Sequence, residues 1–312
     1  MTRDLTLRGA AAAAPSPAAS LRAPRPPLLL QTAALRDGRV HFDAPEGFAQ
    51  ALCDGCFYLE IPEALDLLPG KVLGREFYRD LEDGEPATAA YRGFRERGDV
   101  YFDREHFQTE HVLLDRPGRA RHFPPELRAM CDALNDIARL VLRQVLDALG
   151  VPEAIWRQVT GGAIDDEGTH WFAASHYRPE LDRMGCAPHK DTGFVTILYI
   201  EREGLEASVA QSWAPIDARP GAFVVNFGRS LELLMECSPR PVRAILHRVR
   251  KTVHTPGVED RYSFAAFVNP PATGMLYRYD GAQAVAYQSV EEFLVEFNKV
   301  TWNDRHDEFG IK

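Results

Sequence analysis

The chain has 312 residues, of which 45% are hydrophobic, and a formal net charge of −9. That length allows one large domain or two ordinary ones, with a sizeable core. The acidic balance argues against a nucleic-acid partner, because phosphate contacts need clustered lysine and arginine. No apolar run approaches the length of a membrane span.

Cysteine usage bears on the compartment. Five scattered cysteines in a chain of this length do not form a disulfide framework. They predict reduced thiols in a cytoplasmic protein. The first 26 residues are rich in alanine, proline and arginine and lack the continuous apolar segment of a secretory signal. We therefore predict a disordered leader over residues 1–26 and a single domain over residues 27–312.

The N-terminal half alternates between clear and weak patterns. The stretch FAQALCDGCFYLEI predicts a short amphipathic helix, a turn at Asp54-Gly55 and a strand. Residues 63–80 are predicted to be helical. Residues 82–123 form a polar stretch with weak periodicity, and such a long segment inside a domain is often functional.

A long amphipathic helix follows between a proline pair and Gly150. Its apolar residues recur every three or four positions: Leu127, Met130, Leu134, Ile137, Val141, Val145 and Leu149. This stripe predicts a core helix without a chemical role.

From about residue 170 the pattern changes to short runs rich in β-branched and aromatic residues, separated by glycine and proline. Such spacing is typical of a sandwich or a barrel. The chain closes with a predicted helix that has a capping box at Ser289 and Glu292. Its predicted apolar stripe comprises Phe293, Val295, Phe297 and Val300.

A histidine and an aspartate lie two residues apart in the strand-like run APHKDTGFVTILYI. On one strand, His189 and Asp191 would point to the same side and could coordinate one ion. A histidine and an acid at this spacing are expected about once by chance. His306 and Glu308 also match, but no histidine follows them to complete a site.

A second histidine and an arginine downstream strengthen the first pair. His247 lies 56 residues beyond Asp191, and Arg261 and Ser263 follow. Two histidines and one carboxylate on iron leave positions for a chelating 2-oxo acid and dioxygen. The far carboxylate of that acid needs a planar, two-pronged cation, which arginine provides. His254 is the rival of His247, but an odd separation on a strand would turn it to the opposite face.

With H-x-D, a distal histidine and R-x-S in this order, residues from about 28 to 300 resemble the isopenicillin-N-synthase-like branch of the Fe(II)/2-oxoglutarate-dependent oxygenases. The runs HYRP, GAFVVNFG and CFYLEIPEAL also fit that family. The resemblance implies a mainly β fold with flanking helices and a double-stranded β-helix, or jelly-roll, core. Its parts would be residues 27–165 (N-terminal helices and loops), 166–275 (core with the metal site) and 276–312 (C-terminal strand and covering helix).

Carried over residue by residue, the resemblance implies that His189, Asp191 and His247 bind iron. Arg261, Ser263 and Tyr177 would bind 2-oxoglutarate, although a strand tyrosine can equally be core. Ser175 departs from the asparagine of many members, which puts a contact near the cosubstrate in doubt. Because Asp191 is retained, halogenation is not expected.

The surroundings of the motif leave several roles open. Residues Tyr91, Arg92, Phe94 and His111 could flank the substrate pocket or be exposed loop residues. Cys186 is predicted to be a small buried filler. Phe194 and Leu198 could be pocket wall or barrel core.

The predicted function is Fe(II)- and 2-oxoglutarate-dependent hydroxylation, desaturation or cyclisation of a small molecule, such as an amino acid or secondary metabolite, with dioxygen as oxidant. The first alternative is an iron oxidase of the isopenicillin-N-synthase or ACC-oxidase type, which uses no 2-oxoglutarate. The second is a non-catalytic jelly-roll binding protein. A hydrolase is disfavoured because G-x-S-x-G is absent from the sequence. The oligomeric state is left open.

Overall fold

The computed structural model describes residues 26–82, 84 and 91–302. The leader predicted for residues 1–26 therefore lies outside the described residues except for its last one. The strands are β1 (Thr32–Arg36), β2 (Arg39–Phe42), β3 (Cys56–Glu60), β4 (Tyr101–Asp103), β5 (Thr109–Leu114), β6 (Phe172–Tyr177), β7 (Cys186–His189), β8 (Val195–Ile200), β9 (Leu205–Val209), β10 (Ser212–Pro215), β11 (Ala222–Phe227), β12 (His247–Val249), β13 (Tyr262–Val268), β14 (Met275–Tyr279) and β15 (Ala284–Ser289). The helices are α1 (Gly47–Asp54), α2 (Leu68–Glu76), α3 (Arg116–His122), α4 (Pro125–Ala148), α5 (Glu153–Val159), α6 (Arg229–Met235) and α7 (Val290–Trp302).

The strands form a jelly roll, as the sequence predicts. Eight consecutive strands, β6 to β13, are divided between two sheets. The larger sheet has nine strands in the order β2-β1-β3-β11-β8-β13-β6-β5-β4, and the smaller has the order β10-β9-β12-β7. Strands β6, β8, β11 and β13 thus face β7, β9, β10 and β12 across the barrel, which is the arrangement of a double-stranded β-helix. Strands β14 and β15 form a separate hairpin.

The predicted helix, turn and strand around Gly55 are confirmed. Gly55 adopts φ +83°, and a Cβ there would lie 2.8 Å from the carbonyl oxygen of Arg243, so only glycine fits this turn. The helix predicted over residues 63–80 is shorter than expected. It is limited to α2, whose first turn contains Pro69.

The segment 82–123, which showed no clear pattern, contains the fully buried strand β5. This strand pairs with β6 through six residues, from Thr109 opposite Tyr177 to Leu114 opposite Phe172. Its first half is polar, with Glu110 buried completely. A buried polar strand breaks the hydrophobic alternation on which sequence reasoning relies, and its partners lie elsewhere in the chain.

Helix α4 lies against β8 and β13 of the larger sheet, and the predicted stripe faces the core. Leu127, Leu134 and Val145 are fully buried, whereas Ile137 is only partly so. None of the described helices combines the length and apolarity needed to cross a membrane.

The C-terminal helix forms, but its predicted apolar face is partly wrong. The backbone N–H of Glu292 donates to Ser289 Oγ over 3.2 Å, which confirms the N-terminal cap. Val300, however, is 84% exposed, while Leu294 and Trp302 are buried. Leu294 packs with Phe293 and Leu233 in a small cluster. The face of α7 that packs against the protein is therefore rotated by about one residue from the predicted face.

This correction predicts unequal costs for two substitutions on α7. Leu294→Ala should lower the free energy of unfolding by about 2 to 4 kcal/mol, because it leaves a cavity in a packed cluster. Val300→Ala, the matched control on the exposed face, should change it by less than about 0.5 kcal/mol. Urea unfolding followed by circular dichroism measures both. Equal costs would contradict the orientation of the helix.

Candidate metal centre

Three side chains converge at one end of the barrel. One potential ligand atom from each of His189, Asp191 and His247 lies within 4.8 Å of the others. Nε2 of each histidine is 3.7 Å from Asp191 Oδ1. His189 ends β7 and His247 begins β12, and the two are directly opposite in the antiparallel pair. Asp191 lies beyond the end of β7, so the expectation that it shares a strand with His189 is wrong.

Hydrogen bonds fix which histidine nitrogen faces the centre. Nδ1 of His189 is 2.9 Å from the carbonyl oxygen of Ala187, and Nδ1 of His247 is 3.2 Å from that of Ile245. Because a carbonyl oxygen can only accept, each Nδ1 carries the proton. Nε2 is therefore the nitrogen that each ring turns towards Asp191, and in the Nδ1–H tautomer it is the atom that can bind a metal.

The turn that carries Asp191 is held by α6 and β11. Asn226 Nδ2 donates to Asp191 Oδ2 over 3.2 Å, which leaves Oδ1 towards the histidines. The N–H of Arg229 donates to the backbone carbonyl of Asp191 over 2.7 Å. A Cβ on Gly228 would lie 2.1 Å from the carbonyl oxygen of Gly193, so the two backbones meet at a point that only glycine allows. The sequence did not predict that Asn226, in the run VVNFG, would hold the Asp191 carboxylate.

The donor set suits a ferrous ion. Two neutral imidazoles and one carboxylate with open positions are typical of non-haem Fe(II) sites. Among the described residues, no other group of three histidine, cysteine or acidic side chains converges in this way. His254 is exposed and lies in an irregular segment, so its position excludes it as a ligand. The expected reason, alternation along a strand, does not apply because this segment is not a strand. His306 and Glu308 lie outside the described residues.

A buried guanidinium lies in the same cavity. Arg261 is 4% exposed, and its Nε donates to the carbonyl oxygen of Glu203 over 3.1 Å. Its Nη1 is buried without a hydrogen-bond partner. The guanidinium carbon lies 4.4 Å from the ring centre of Tyr177, whose hydroxyl is 3.3 Å from Ser263 Oγ. A buried cation with an unused donor is costly unless an anion completes it, so this group fits the far carboxylate of a dicarboxylic acid.

The state of Tyr177 favours the same ligand. Burial raises the pKa of its hydroxyl above the ordinary value, and the nearby Arg261 only partly opposes this effect. The hydroxyl therefore keeps its proton at neutral pH and can donate to a carboxylate. Tyr177 is part of a buried hydrophobic cluster and also lines the cavity beside Arg261.

The cavity has a volume of about 140 Å³ and joins the two groups. His111, Ser175 and Ser263 are in register on adjacent strands, so they share the inner face of the larger sheet. Cys186, buried in a hydrophobic cluster as expected, and Leu198 also line the cavity.

Several other candidates lie elsewhere. Phe94 and Phe194 belong to the hydrophobic core. The Tyr91 hydroxyl donates to Glu126 Oε1, and Arg92 pairs with Glu76. Of the four candidates from the irregular region, only His111 therefore reaches the cavity.

Aromatic side chains close the cavity beside the histidines, and the sequence did not predict their place there, although Phe297 belongs to the predicted apolar stripe. The rings of Phe297 and Trp302, both on α7, each lie 6.4 Å from the ring of His189. Trp302 is also 6.4 Å from the ring of His111, and its Nε1 is buried without a partner. Nothing in the local pattern of α7 indicated this role, because the cavity that they line is formed by distant strands.

A charged network lies on the other face of the same sheet. Glu110 is fully buried and accepts hydrogen bonds from Arg95, Tyr101 and His176. Burial alone would raise the pKa of this carboxyl, but the bonds from His176, Arg95 and Tyr101 outweigh it and lower the pKa to about 2. Glu110 is therefore an ionised group stabilised by fixed donors.

Comparison with known proteins gives consistent results. Residues 169–270 match the sequence profile of the 2OG-Fe(II) oxygenase superfamily. The 2-oxoglutarate-dependent dioxygenase iboH of Amanita muscaria is 28% identical over 189 residues, covering 59% of this chain and 90% of that protein. Jasmonate-induced oxygenase 2 of Arabidopsis thaliana is 29% identical over 158 residues, covering 47% of this chain and only 40% of that protein. The crystal structure of a rice dioxygenase for auxin oxidation superposes with a TM-score of 0.62 at 20% identity, covering 90% of this chain and 98% of that one, which supports the fold.

The lowered pKa of Glu110 predicts acid sensitivity. Because the folded value is below the ordinary value of 4.5, the stabilisation is complete above pH 4.5 and is lost as the pH falls towards 2. A shift of this size corresponds to roughly 3 kcal/mol of the free energy of unfolding. Urea unfolding at pH 6 and pH 3 should show roughly 2 kcal/mol of this loss, and Glu110→Gln should be less stable at pH 6 with a flatter pH dependence. A variant as steep as the wild type would show that other groups cause the acid sensitivity.

Proposed function

The chain belongs to the 2OG-Fe(II) oxygenase superfamily, and from that premise we propose that His189, Asp191 and His247 bind the ferrous ion while Arg261, Ser263 and Tyr177 bind 2-oxoglutarate. The protein is a Fe(II)/2-oxoglutarate-dependent dioxygenase, and the reaction is oxidation of a small molecule. One observation supports the residue assignment above all. Three convergent ligand atoms and a buried guanidinium nitrogen without a partner line one cavity.

When bound, iron with 2-oxoglutarate supplies the activation of dioxygen, and the protein supplies position and exclusion of water. The two Nδ1–H bonds orient the imidazoles before the metal arrives. Asn226 holds one oxygen of Asp191 so that the other faces the metal. Arg261 offers its unused nitrogen to the far carboxylate, and the Tyr177 and Ser263 hydroxyls lie beside it.

The alternative of an iron oxidase that works without 2-oxoglutarate is not favoured. The relatives that match the chain include enzymes named as 2-oxoglutarate-dependent, and iboH is covered over 90% of its length. A non-catalytic binding protein would have no need for an intact set of metal ligands with fixed tautomers.

We further propose that the substrate binds between His111 and the aromatic wall formed by Phe297 and Trp302. Both rings lie 6.4 Å from the ring of His189, so a molecule that reaches the metal from this side must contact them. Aromatic walls bind flat or apolar groups, and the unpartnered Trp302 Nε1 can donate to an acceptor. An aromatic amino acid or an aromatic secondary metabolite fits this chemistry.

A cytoplasmic location is part of the same proposal. All five cysteines lie within the described residues and are free thiols, three of them buried. This supports a reducing compartment.

The metal assignment is tested by replacing one ligand. His247→Ala should weaken Mn(II) binding, measured by titration calorimetry under anaerobic conditions, by roughly 100-fold or more, because it removes one of three ligands. It should also abolish release of succinate from 2-oxoglutarate in the Fe(II)-loaded enzyme. His254→Ala, a nearby exposed histidine, is the control and should leave both unchanged. Retention of metal binding and succinate release by His247→Ala would refute the assignment.

The aromatic wall is tested with two substitutions of one residue. A panel of aromatic and aliphatic carboxylic acids and amino acids is first screened for stimulation of succinate release. For the best compound, Trp302→Ala should raise KM by roughly tenfold or more, since it removes a large contact surface. Trp302→Phe, which keeps a ring but loses the N–H, should have a smaller effect.

The control is Trp213→Ala, because Trp213 lies against Arg248 and outside the cavity. It should leave KM for that compound unchanged. An unaltered KM in Trp302→Ala would place the substrate elsewhere.

A further inference from the structure

Two residues of the charged network sit directly behind the side chains that would bind 2-oxoglutarate. Glu110 and His176 are opposite each other on β5 and β6, and His176 is opposite Tyr262 on β13. Strand neighbours alternate between the two faces of a sheet. Tyr177 and Ser263 therefore line the cavity, while His176 and Tyr262 lie on the outer face.

His176 is clamped between two carboxylates. Its Nδ1 is 2.9 Å from Glu110 Oε1, and its Nε2 is 3.3 Å from Asp260 Oδ2. Each ring nitrogen of His176 therefore lies within hydrogen-bond distance of a carboxylate oxygen, which can only accept. The ring of Tyr78 stacks on it with the ring centres 3.7 Å apart. The imidazole thus has little freedom to move.

Asp260 connects this clamp to the guanidinium. Asp260 immediately precedes Arg261, the last residue of the segment 250–261. This segment has neither helix nor strand and is largely exposed. Beside it, the N–H of Tyr177 donates to the carbonyl oxygen of Arg261 over 3.0 Å. On the surface, the Glu259 side chain pairs with Arg75 at 2.8 Å and the Glu259 carbonyl oxygen accepts from Arg202. At the end of the segment next to Arg261, Asp260 bonds to His176, which is 4% exposed, while near the start of the segment Thr252 bonds to the buried Gln108.

We infer that His176 is a positioning residue for the cosubstrate: by linking Asp260 to the buried Glu110, it fixes the backbone at Arg261 and holds the guanidinium over Tyr177. This inference rests on the proposed role of Arg261. A bidentate contact between guanidinium and carboxylate is sensitive to small displacements, because both hydrogen bonds must align at once. Loss of the link should therefore weaken 2-oxoglutarate binding while metal binding stays intact.

The test uses Asp260→Asn and His176→Gln, with Asp260→Glu as the conservative variant. Asp136→Asn, which removes an exposed carboxylate paired with Arg139 on α4, is the control. Binding of 2-oxoglutarate to the Mn(II)-loaded protein is measured by calorimetry, together with Mn(II) affinity and the unfolding midpoint. KM for 2-oxoglutarate and kcat are measured with Fe(II).

We expect Asp260→Asn and His176→Gln to weaken 2-oxoglutarate binding about tenfold and to raise KM similarly. Mn(II) affinity and kcat at saturating 2-oxoglutarate should stay within about twofold of the wild type. Asp260→Glu should recover most of the affinity, because it restores a carboxylate. Asp136→Asn should match the wild type.

Two results would overturn the inference. In one, the variants lose stability but bind 2-oxoglutarate like the wild type, which would make the clamp purely structural. In the other, metal and 2-oxoglutarate affinities fall together. If His176→Gln does not fold, Asp260→Asn decides alone, since the Asp260 side chain is 32% exposed and tolerates substitution. Absence of 2-oxoglutarate binding in the wild type would instead refute the proposed function itself, so the two failures are distinguishable.

Discussion

The site depends on holding a carboxylate in a turn just beyond a strand. His189 and His247 are positioned by regular pairing of β7 and β12, but Asp191 has no strand to fix it. Its place is set by Asn226 on its side chain and by α6 on its backbone. A free carboxylate near two imidazoles would rotate or turn away. The contact of Gly228 with Gly193 lets the two backbones approach closely enough to prevent this.

The larger sheet separates two charged environments. On its inner face Arg261 has a nitrogen without a partner, while on its outer face Glu110 has three donors. The satisfied group stabilises the fold, whereas the buried nitrogen without a partner is the group that we propose a ligand completes. His176 and Asp260 join the two environments. His176 is the chain neighbour of Tyr177, and Asp260 is the chain neighbour of Arg261.

Chemistry and specificity come from different parts of the fold. The metal ligands and Arg261 lie on or beside the barrel strands, whereas the aromatic wall comes from the C-terminal helix. A wall on a separate helix can change without disturbing the barrel.

The sequence by itself predicted the barrel class, α4 and the three side chains that we propose as metal ligands, because each has a strong local signature: strand-like runs, a regular apolar stripe and side chains of distinct chemistry. It did not determine β5, the exposed position of Val300 or the roles of Asn226 and Trp302. Those depend on partners distant in the chain: Glu110 is tolerated in a buried strand only because Arg95, Tyr101 and His176 meet it there. The hydrophobic periodicity of a segment indicates which face of a helix or strand is apolar. The partners of buried polar groups are decided only when the strands assemble.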